Sequence, residues 1–158
     1  MPTITTFLTF DSQTEEAVSL YMSVFEDLKI LDTKRFGKGG PAPEGTVFSQ
    51  TFQLFGQTFI AMNGGSSFTF GQGMSLMVQC DTQAQIDRYW EKLAQGGKEI
   101  QCGWLTDKFG VTWQIVPKEL GNLIGSKDAA RAGRAMQAMM KMKKLDIAAL
   151  KRAYDEDR

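Results

Sequence analysis

The chain has 158 residues, and its 18 Lys and Arg residues balance 18 Asp and Glu residues. Because the net charge is zero, no overall field favours binding to nucleic acid or to an anionic membrane. Histidine is absent, which removes the usual general base near neutral pH and the commonest ligand of zinc, iron, copper and nickel, and so argues against several classes of enzyme.

The length is that of one ordinary domain, which folds without disulfide bonds. Cys80 and Cys102 are the only cysteines, and the N-terminus shows no basic and apolar leader. We therefore expect two free thiols in a cytoplasmic protein. No stretch reaches the ~18 apolar residues that a membrane-spanning helix needs, so we expect a soluble chain without membrane partners.

The first half of the chain predicts one strand, one helix and then three strands. Residues 4–10 have strand character, and the helix of residues 14–25 is expected to have its cap at residues 12–14. The three later strands are separated by a glycine-rich loop and by a tight turn at Gly56. They are predicted at residues 29–36, 45–55 and 57–62.

The second half repeats this order after a connection at residues 63–73. Residues 74–81 align with residues 4–11, because both are strands that end on Asp. Helical positions then correspond as well, with Thr82, Ile86, Tyr89 and Leu93 opposite Thr14, Val18, Tyr21 and Phe25. Gly96 and Gly97 end the second helix. The pattern predicts an α+β fold made of two βαβββ modules, at about residues 1–65 and 74–120.

The remaining residues, 126–158, predict a helical C-terminal extension to a domain of residues 1–125. A stripe at helical spacing contains Ala132, Ala135, Met136, Met139 and Met142. Asp146 is placed to cap a further helix. Methionine-rich stripes are adaptable packing surfaces, so we expect the extension to cover this subunit or a dimer partner, with a separate target protein as the alternative.

The stretch from Asp107 to Pro117 predicts a turn followed by a strand, and it also carries a resemblance. Asp107 and Gly110 begin a pattern that resembles the last strand of the glyoxalase, bleomycin-resistance and dioxygenase superfamily (vicinal oxygen chelate). A metal-binding Glu is expected at the eighth position of that pattern, which is Gln114 here. Six segments resemble the PhnB-like branch: QCGWLTDKFGVTWQIVP, LTFD, EEAVSLYMSVF, EGTVFSQTF, CDTQAQIDRYWEKL and MKMKKLDIAALKRAY.

This resemblance implies a curved mixed sheet, a homodimer and a ligand cavity. It also implies metal ligands at four places, which fall near Ile4 or Thr5, near Met74 or Ser75, near Ala61 or Asn63, and at Gln114. None of these residues is His, Asp or Glu, the donors that give a divalent ion its affinity. We therefore predict a protein without metal or other cofactor.

The predicted site combines amide and aromatic side chains in the cup of the sheet. It consists of Gln114, Trp104, Asn63, Phe68 and Phe70. The alternatives are that Gln114 satisfies neighbouring backbone groups and that the aromatic residues belong to the core. The function that we predict is binding of a small organic molecule, as in bleomycin-resistance proteins.

Three other functions stay open at this point. One is a metal-dependent lyase or dioxygenase of the same superfamily. Another is the ubiquinone-related methyltransferase named by the family's usual label, 3-demethylubiquinone-9 3-methyltransferase, although no G-x-G-x-x-G motif follows a strand. The last is an interaction module that works through the helical extension.

Overall fold

The computed structural model describes residues 1–156, which form two compact units, Met1–Phe70 and a second unit that begins at Gly71. Each unit has the order strand, helix, strand, strand, strand, which confirms the predicted α+β fold of two βαβββ modules. Helices follow the second module, so the predicted C-terminal helices are also present. The division at residues 125 and 126 stays a prediction, and residues 157 and 158 lie outside the described part of the chain.

The first unit is a four-stranded mixed sheet with one helix packed on it. Its elements are β1 (Thr6–Phe10), α1 (Thr14–Val24), β2 (Lys29–Arg35), β3 (Val47–Leu54) and β4 (Gln57–Asn63). The strand order is β1-β4-β3-β2, and only the β1 and β4 pair is parallel. Phe52 and Phe59 are direct cross-strand partners whose rings stack with centroids 5.1 Å apart. Such aromatic pairs hold neighbouring strands together beyond the hydrogen bonds of the sheet.

The start of α1 differs from its prediction in the source of the cap. Gln13 occupies the cap position but makes no side-chain hydrogen bond to the helix. Instead, Asn63 at the end of β4 accepts a hydrogen bond from the backbone N–H of Thr14 over 2.9 Å. The amide nitrogen of Asn63 donates to the carbonyl of Val47 over 3.0 Å. One side chain therefore satisfies a free helix amide and also ties together two strands.

The second unit repeats the topology of the first and adds three helices. Its elements are β5 (Leu76–Cys80), α2 (Gln83–Ala94), β6 (Lys98–Glu99), β7 (Trp104–Thr106), β8 (Thr112–Pro117), α3 (Leu120–Ile124), α4 (Ala129–Met140) and α5 (Ile147–Asp155). The strand order is β5-β8-β7-β6, with β5 parallel to β8. Thr82 and Gln85 form a capping box at the start of α2, because each side chain binds the other residue's backbone N–H.

The turn between β7 and β8 is organised by Asp107, as predicted. Gly110 donates its N–H to the Asp107 carbonyl over 2.9 Å and has a φ of +91°, which glycine adopts without strain. The Asp107 side chain is only 3% exposed, and its Oδ1 accepts from the backbone amides of Phe109 and Val111. The turn therefore places the first residues of β8 through a buried carboxylate.

The C-terminal helices pack on the second unit itself. Val116 of β8 forms a buried cluster with Leu145 and Leu150, and Met139 and Met142 pack against this cluster. Two backbone hydrogen bonds also hold this region in place, since the N–H groups of Cys102 and Gly103 donate to the carbonyls of Met142 and Lys143, each over 2.8 Å. The predicted cap of α5 is confirmed, because Asp146 accepts from the backbone N–H of Ala149. Within residues 1–156, no helix combines the length and apolar character needed to cross a membrane.

Candidate functional site

Gln114 lies at the centre of a row of three side chains that crosses the second sheet. In the strand register it pairs with Met77 of β5 on one side and with Trp104 of β7 on the other. Neighbouring strands are about 4.8 Å apart, so these three side chains lie next to each other on the same face. Trp113 and Ile115, which flank Gln114 along β8, are buried on the opposite face, where α2 packs. The row therefore belongs to the face that α2 leaves open.

A pocket of about 270 Å³ lies over this row. The strands and the turn before β7 contribute part of its lining, and α3 and α4 contribute the rest. Its lining residues are Met77, Gln79, Cys102, Trp104, Gln114, Val116, Pro117, Leu120, Gly121, Ile124 and Met139. The volume lies near the lower end of the roughly 300–1,000 Å³ that is usual for small-molecule sites.

The amide of Gln114 has one hydrogen-bonding end occupied and one end available. Its Nε2 donates to the hydroxyl of Ser75 over 2.8 Å, which fixes the orientation of the amide. Among residues 1–156, no group donates to its Oε1. Because Gln114 is only partly buried and lines the pocket, Oε1 can accept a hydrogen bond from a bound molecule.

The other three residues of the predicted site lie in the first unit, where two of them have structural contacts. Asn63 is occupied by its hydrogen bonds to Thr14 and Val47. The ring of Phe70 packs edge-on against Phe10, with centroids 5.1 Å apart. Phe68 is 52% exposed, and its ring lies over Gly64, where a Cβ would come within 3.1 Å of it. Only Gln114 and Trp104 of the predicted five line one pocket of the second unit.

Sequence reasoning missed the walls that complete this pocket. The alternation of β5 could have identified Met77 and Gln79, which point to the same face in a strand ending at Cys80. Leu120, Ile124 and Met139 carried no such signal, since their position depends on how the C-terminal helices pack. The sequence predicts a packing surface for the methionine stripe, whereas Met139 also contributes to the pocket.

The strand registers also identify which residue of the first unit corresponds to Gln114. β1 and β5 match with a shift of 70 residues, from Thr6 and Leu76. Phe7 pairs with Ile60 in the first unit, and Met77 pairs with Gln114 in the second. Ile60 therefore occupies the equivalent place, one residue before Ala61 and three residues before Asn63, the two positions considered from sequence. Its side chain offers no ligand atom to a metal.

The donors in the pocket do not fit a divalent metal ion. They are the amides of Gln79 and Gln114, the thiol of Cys102 and the thioethers of two methionines. Structural and catalytic metal sites are built mainly from imidazole, carboxylate and thiolate groups. Within the described residues, no three His, Cys, Asp or Glu side chains are grouped so that they could hold a metal ion.

The two thiols have different environments. Cys80 is buried in β5, and burial, with a smaller contribution from the neighbouring charge of Asp81, raises the pKa of its thiol from 9.0 to about 12. Cys102 is partly exposed at the edge of the pocket and has a φ of +63°, in the turn that precedes β7. Cys102 is therefore the thiol that reagents can reach at the candidate site.

A larger groove of about 930 Å³ is lined by residues of α2 together with Gly97, Glu99, Lys143 and Lys144, and several of its charged groups are paired. Lys144 forms an ion pair with Asp87 over 2.9 Å, and the indole N–H of Trp90 donates to Glu99 over 2.7 Å. Two hydrogen bonds lower the pKa of the Asp87 carboxyl, with the larger effect from Gln83 and a smaller one from Lys144. The carboxylates of Asp87 and Glu99 are therefore occupied, whereas Gln114 keeps an available acceptor, so the pocket beside Gln114 is the stronger candidate.

Two βαβββ modules with mixed four-stranded sheets define the class of the glyoxalase, bleomycin-resistance and dioxygenase proteins. Residues 2–116 match the model of the family described as 3-demethylubiquinone-9 3-methyltransferase. A PhnB protein from Bacillus cereus is 40% identical, with a TM-score of 0.67, and the match covers 73% of this chain and 99% of that one. The chain belongs to this PhnB-like family.

More distant structures share the fold. A protein from Pseudomonas aeruginosa is 21% identical with a TM-score of 0.61, and the match covers 74% of this chain and 98% of that one. The fosfomycin resistance protein FosX from Listeria monocytogenes, in complex with Mn(II) and sulfate, is 14% identical with a TM-score of 0.54, covering 72% and 89%. A comparison with curated proteins found no match.

Proposed function

We propose that this chain binds a small organic molecule in the pocket beside Gln114. The observation that supports this most directly is that an available amide oxygen and an indole lie next to each other in one row at the base of a pocket. Binding sites of this kind combine an apolar surface with a few polar groups that orient the ligand. The ligand contacts predicted for Asn63, Phe68 and Phe70 stay predictions.

We propose that binding takes place without a metal ion. The Listeria FosX structure contains Mn(II), so the fold is compatible with a metal. In the present chain the central position is an amide, Gln114, and its direct neighbours are Met77 and Trp104. None of these side chains supplies the negative charge that holds Mn(II) or Mg(II) in proteins. A metal-dependent lyase or dioxygenase is the competing function, and metal analysis separates the two.

The description of the family names a methyltransferase, and the proposal extends only to ligand binding. Methyl transfer from S-adenosylmethionine would need a second pocket for the methyl donor, commonly formed by a doubly wound parallel sheet. Each sheet here has one parallel pair and two antiparallel pairs. A pocket of about 270 Å³ has room for one small molecule rather than for a substrate together with a nucleoside cofactor.

We also propose that the protein is a cytoplasmic homodimer. Two unpaired cysteines suit a reducing compartment. Met136 and Met140 are exposed on α4 although Ala132 and Ala135 of the same helix are buried, so they offer an apolar surface to a second copy. Light scattering over a range of protein concentrations measures the oligomeric state, and a monomer at all concentrations would contradict this part of the proposal.

The main experiment is a thermal-shift screen of a metabolite and drug library on three proteins in parallel. These are the wild type, Gln114→Ala, and a control with the same change at Gln137, which is exposed on α4. A pocket ligand should stabilise the wild type and Gln137→Ala equally, by about 2.7 kcal/mol at one hundred times its dissociation constant. Loss of one hydrogen bond should weaken binding to Gln114→Ala by around tenfold.

Two further measurements locate the ligand and test the competing function. A molecule bound in the pocket should slow the alkylation of Cys102, whose side chain lines it. Ligands that stabilise all three proteins equally and leave Cys102 unprotected would place binding elsewhere and overturn the proposal. Elemental analysis of freshly purified protein should find no stoichiometric transition metal. A stoichiometric metal that is lost in Gln114→Ala would support the lyase or dioxygenase instead.

A further inference from the structure

The chemistry of the pocket restricts the ligand beyond its size, and the first restriction concerns charge. Within the described part of the chain, none of the eleven residues that line the pocket is Asp, Glu, Lys, Arg or His. A carboxylate, phosphate or ammonium group that entered would lose much of its hydration and find no opposite charge. The lining therefore selects against ions of either sign.

The second restriction concerns shape. Met77 and Trp104 flank Gln114 in the same row, one strand away on each side, so they are about 10 Å apart across the sheet. An aromatic ring that lies over Gln114 can contact the indole on one side and the thioether on the other. Indoles and thioethers both make favourable contacts with aromatic rings. Leu120 and Ile124 of α3 add apolar surface.

The third restriction concerns hydrogen bonding. One N–H of Gln114 Nε2 donates to the Ser75 hydroxyl and thereby directs the amide, which leaves Oε1 as the acceptor atom that a ligand can reach. An amide oxygen only accepts hydrogen bonds, so a ligand that binds Oε1 donates one. A ligand without a donor would displace water from Oε1 and leave that oxygen unpaired, which weakens binding.

We infer that the ligand is an uncharged aromatic molecule that donates a hydrogen bond to Gln114, the chemical class to which phenols belong. This inference rests on the proposed function, because it describes the occupant of the same pocket. Within it, Ser75 is a positioning residue, since it acts through the orientation of the Gln114 amide. Gln114 is the residue that sets the preference for a donor.

The test uses three probes that share one ring and one alkyl group: 4-ethylphenol, 4-ethylanisole and 4-ethylbenzoate. At pH 7 the phenol is neutral and donates, the methyl ether is neutral and only accepts, and the benzoate is charged. Affinities are measured by calorimetric titration, with protection of Cys102 from alkylation as the local readout. The wild type should bind the phenol about tenfold more tightly than the ether. It should bind the benzoate more weakly than either of the two neutral probes.

Variants of the chain assign this preference to its atoms. In Gln114→Leu, which keeps the size of the side chain, the phenol and the ether should bind equally. In Gln114→Glu, which keeps an acceptor, the phenol should still be preferred. In Ser75→Ala the amide is free to turn and can donate to the ether, so the ratio between phenol and ether should fall towards one. A role of Ser75 in folding alone would leave that ratio unchanged.

The outcomes separate the inference from the proposed function. Equal protection of Cys102 by the phenol and the ether would show that the ligand needs no hydrogen-bond donor, although the pocket would still be a binding site. Tighter binding of the benzoate than of the phenol would contradict the inference that the ligand is uncharged. If none of the three probes protects Cys102 and the library screen yields an anionic pocket ligand, the inference fails while the proposed function holds. If no compound of any kind protects Cys102, both fail.

Discussion

Trp113 donates the N–H of its indole to Asp107 Oδ2 over 2.9 Å, and both side chains are almost completely buried. The other oxygen of Asp107 accepts from two backbone amides of the turn. One carboxylate therefore closes the turn and also fixes an indole on β8. Since Gln114 follows Trp113 directly, this bond contributes to the position of the candidate site.

Replacement of Asp107 by Asn tests the importance of this bond. If the Asn oxygen keeps the hydrogen bonds from the backbone amides, its NH₂ group faces the indole N–H of Trp113. Two hydrogen-bond donors then meet in a buried place. We expect the free energy of unfolding to fall by about 1–3 kcal/mol, measured by urea titration. The same change in a Trp113→Phe background should be less harmful, because that background lacks the indole donor. Equal losses in both backgrounds would show that the indole bond contributes nothing.

Asn63→Ala tests whether this residue has a structural role or contacts a ligand. The substitution removes the cap of α1 and the donor to the Val47 carbonyl. Loss of a helix cap costs about 1 kcal/mol, and the unpaired carbonyl adds to it, so unfolding should become easier by about 1–3 kcal/mol. Affinity for a pocket ligand should stay the same in the folded protein. A loss of affinity with unchanged stability would instead make Asn63 a ligand contact.

Much of the fold could be predicted because its signals are local. Asp11 and Asp81 each follow directly after a strand and so reveal the repeat, and the structure keeps the same shift of 70 residues between β1 and β5. Asp107 and Gly110 identify a turn by residue type alone. Asp146 identifies the start of α5 in the same way, and the structure confirms its capping bond.

The remaining features depend on contacts between distant parts of the chain. The cap of α1 comes from Asn63, 49 residues after the amide that it binds, and no local pattern encodes such a pair. Met139 lines the pocket because the C-terminal helices pack on Val116 through Leu145 and Leu150. Periodicity predicts that a helix has an apolar face, but it does not say which surface that face covers.

Two glycine substitutions should change stability in opposite directions. At Gly97, an added Cβ would lie 2.1 Å from the Thr106 carbonyl oxygen and 2.8 Å from the backbone carbon of Asp107. Backbone atoms cannot move aside easily, so Gly97→Ala should lower the free energy of unfolding by about 1–3 kcal/mol. Gly133 lies inside α4 with nothing within 4 Å of a Cβ, and Gly133→Ala should raise it by about 0.5–1 kcal/mol. Thermal unfolding of both variants checks the order, and a stabilising Gly97→Ala would contradict the close packing.

The ion pair of Asp87 and Lys144 should give a small, pH-dependent contribution to stability. Because the hydrogen bonds from Gln83 and Lys144 lower the pKa of Asp87 from 3.8 in the folded state, the contribution is complete above pH 3.8 and disappears as the pH falls through the lower, folded pKa. Both side chains are nearly half exposed, so Asp87→Asn should cost less than about 1 kcal/mol at pH 7. Urea unfolding should show a constant difference between pH 7 and pH 5, which narrows below pH 3.8. A difference that widens on acidification would have the wrong sign.

The two cysteines should react at very different rates with a thiol reagent. The raised pKa of about 12 reduces the thiolate of Cys80 at pH 8 by about a thousandfold relative to a thiol with a pKa of 9.0, and its side chain is buried. Cys102 is partly exposed beside the pocket. N-ethylmaleimide should therefore label one thiol per native chain rapidly and the second only after unfolding in urea, as mass spectrometry of peptides can show.

Cys80→Ala should keep the rapid reaction, and Cys102→Ser should abolish it. Rapid native labelling at Cys80 would mean that β5 opens far more readily than its packing indicates, and Cys102 alkylation could then no longer report on the pocket alone.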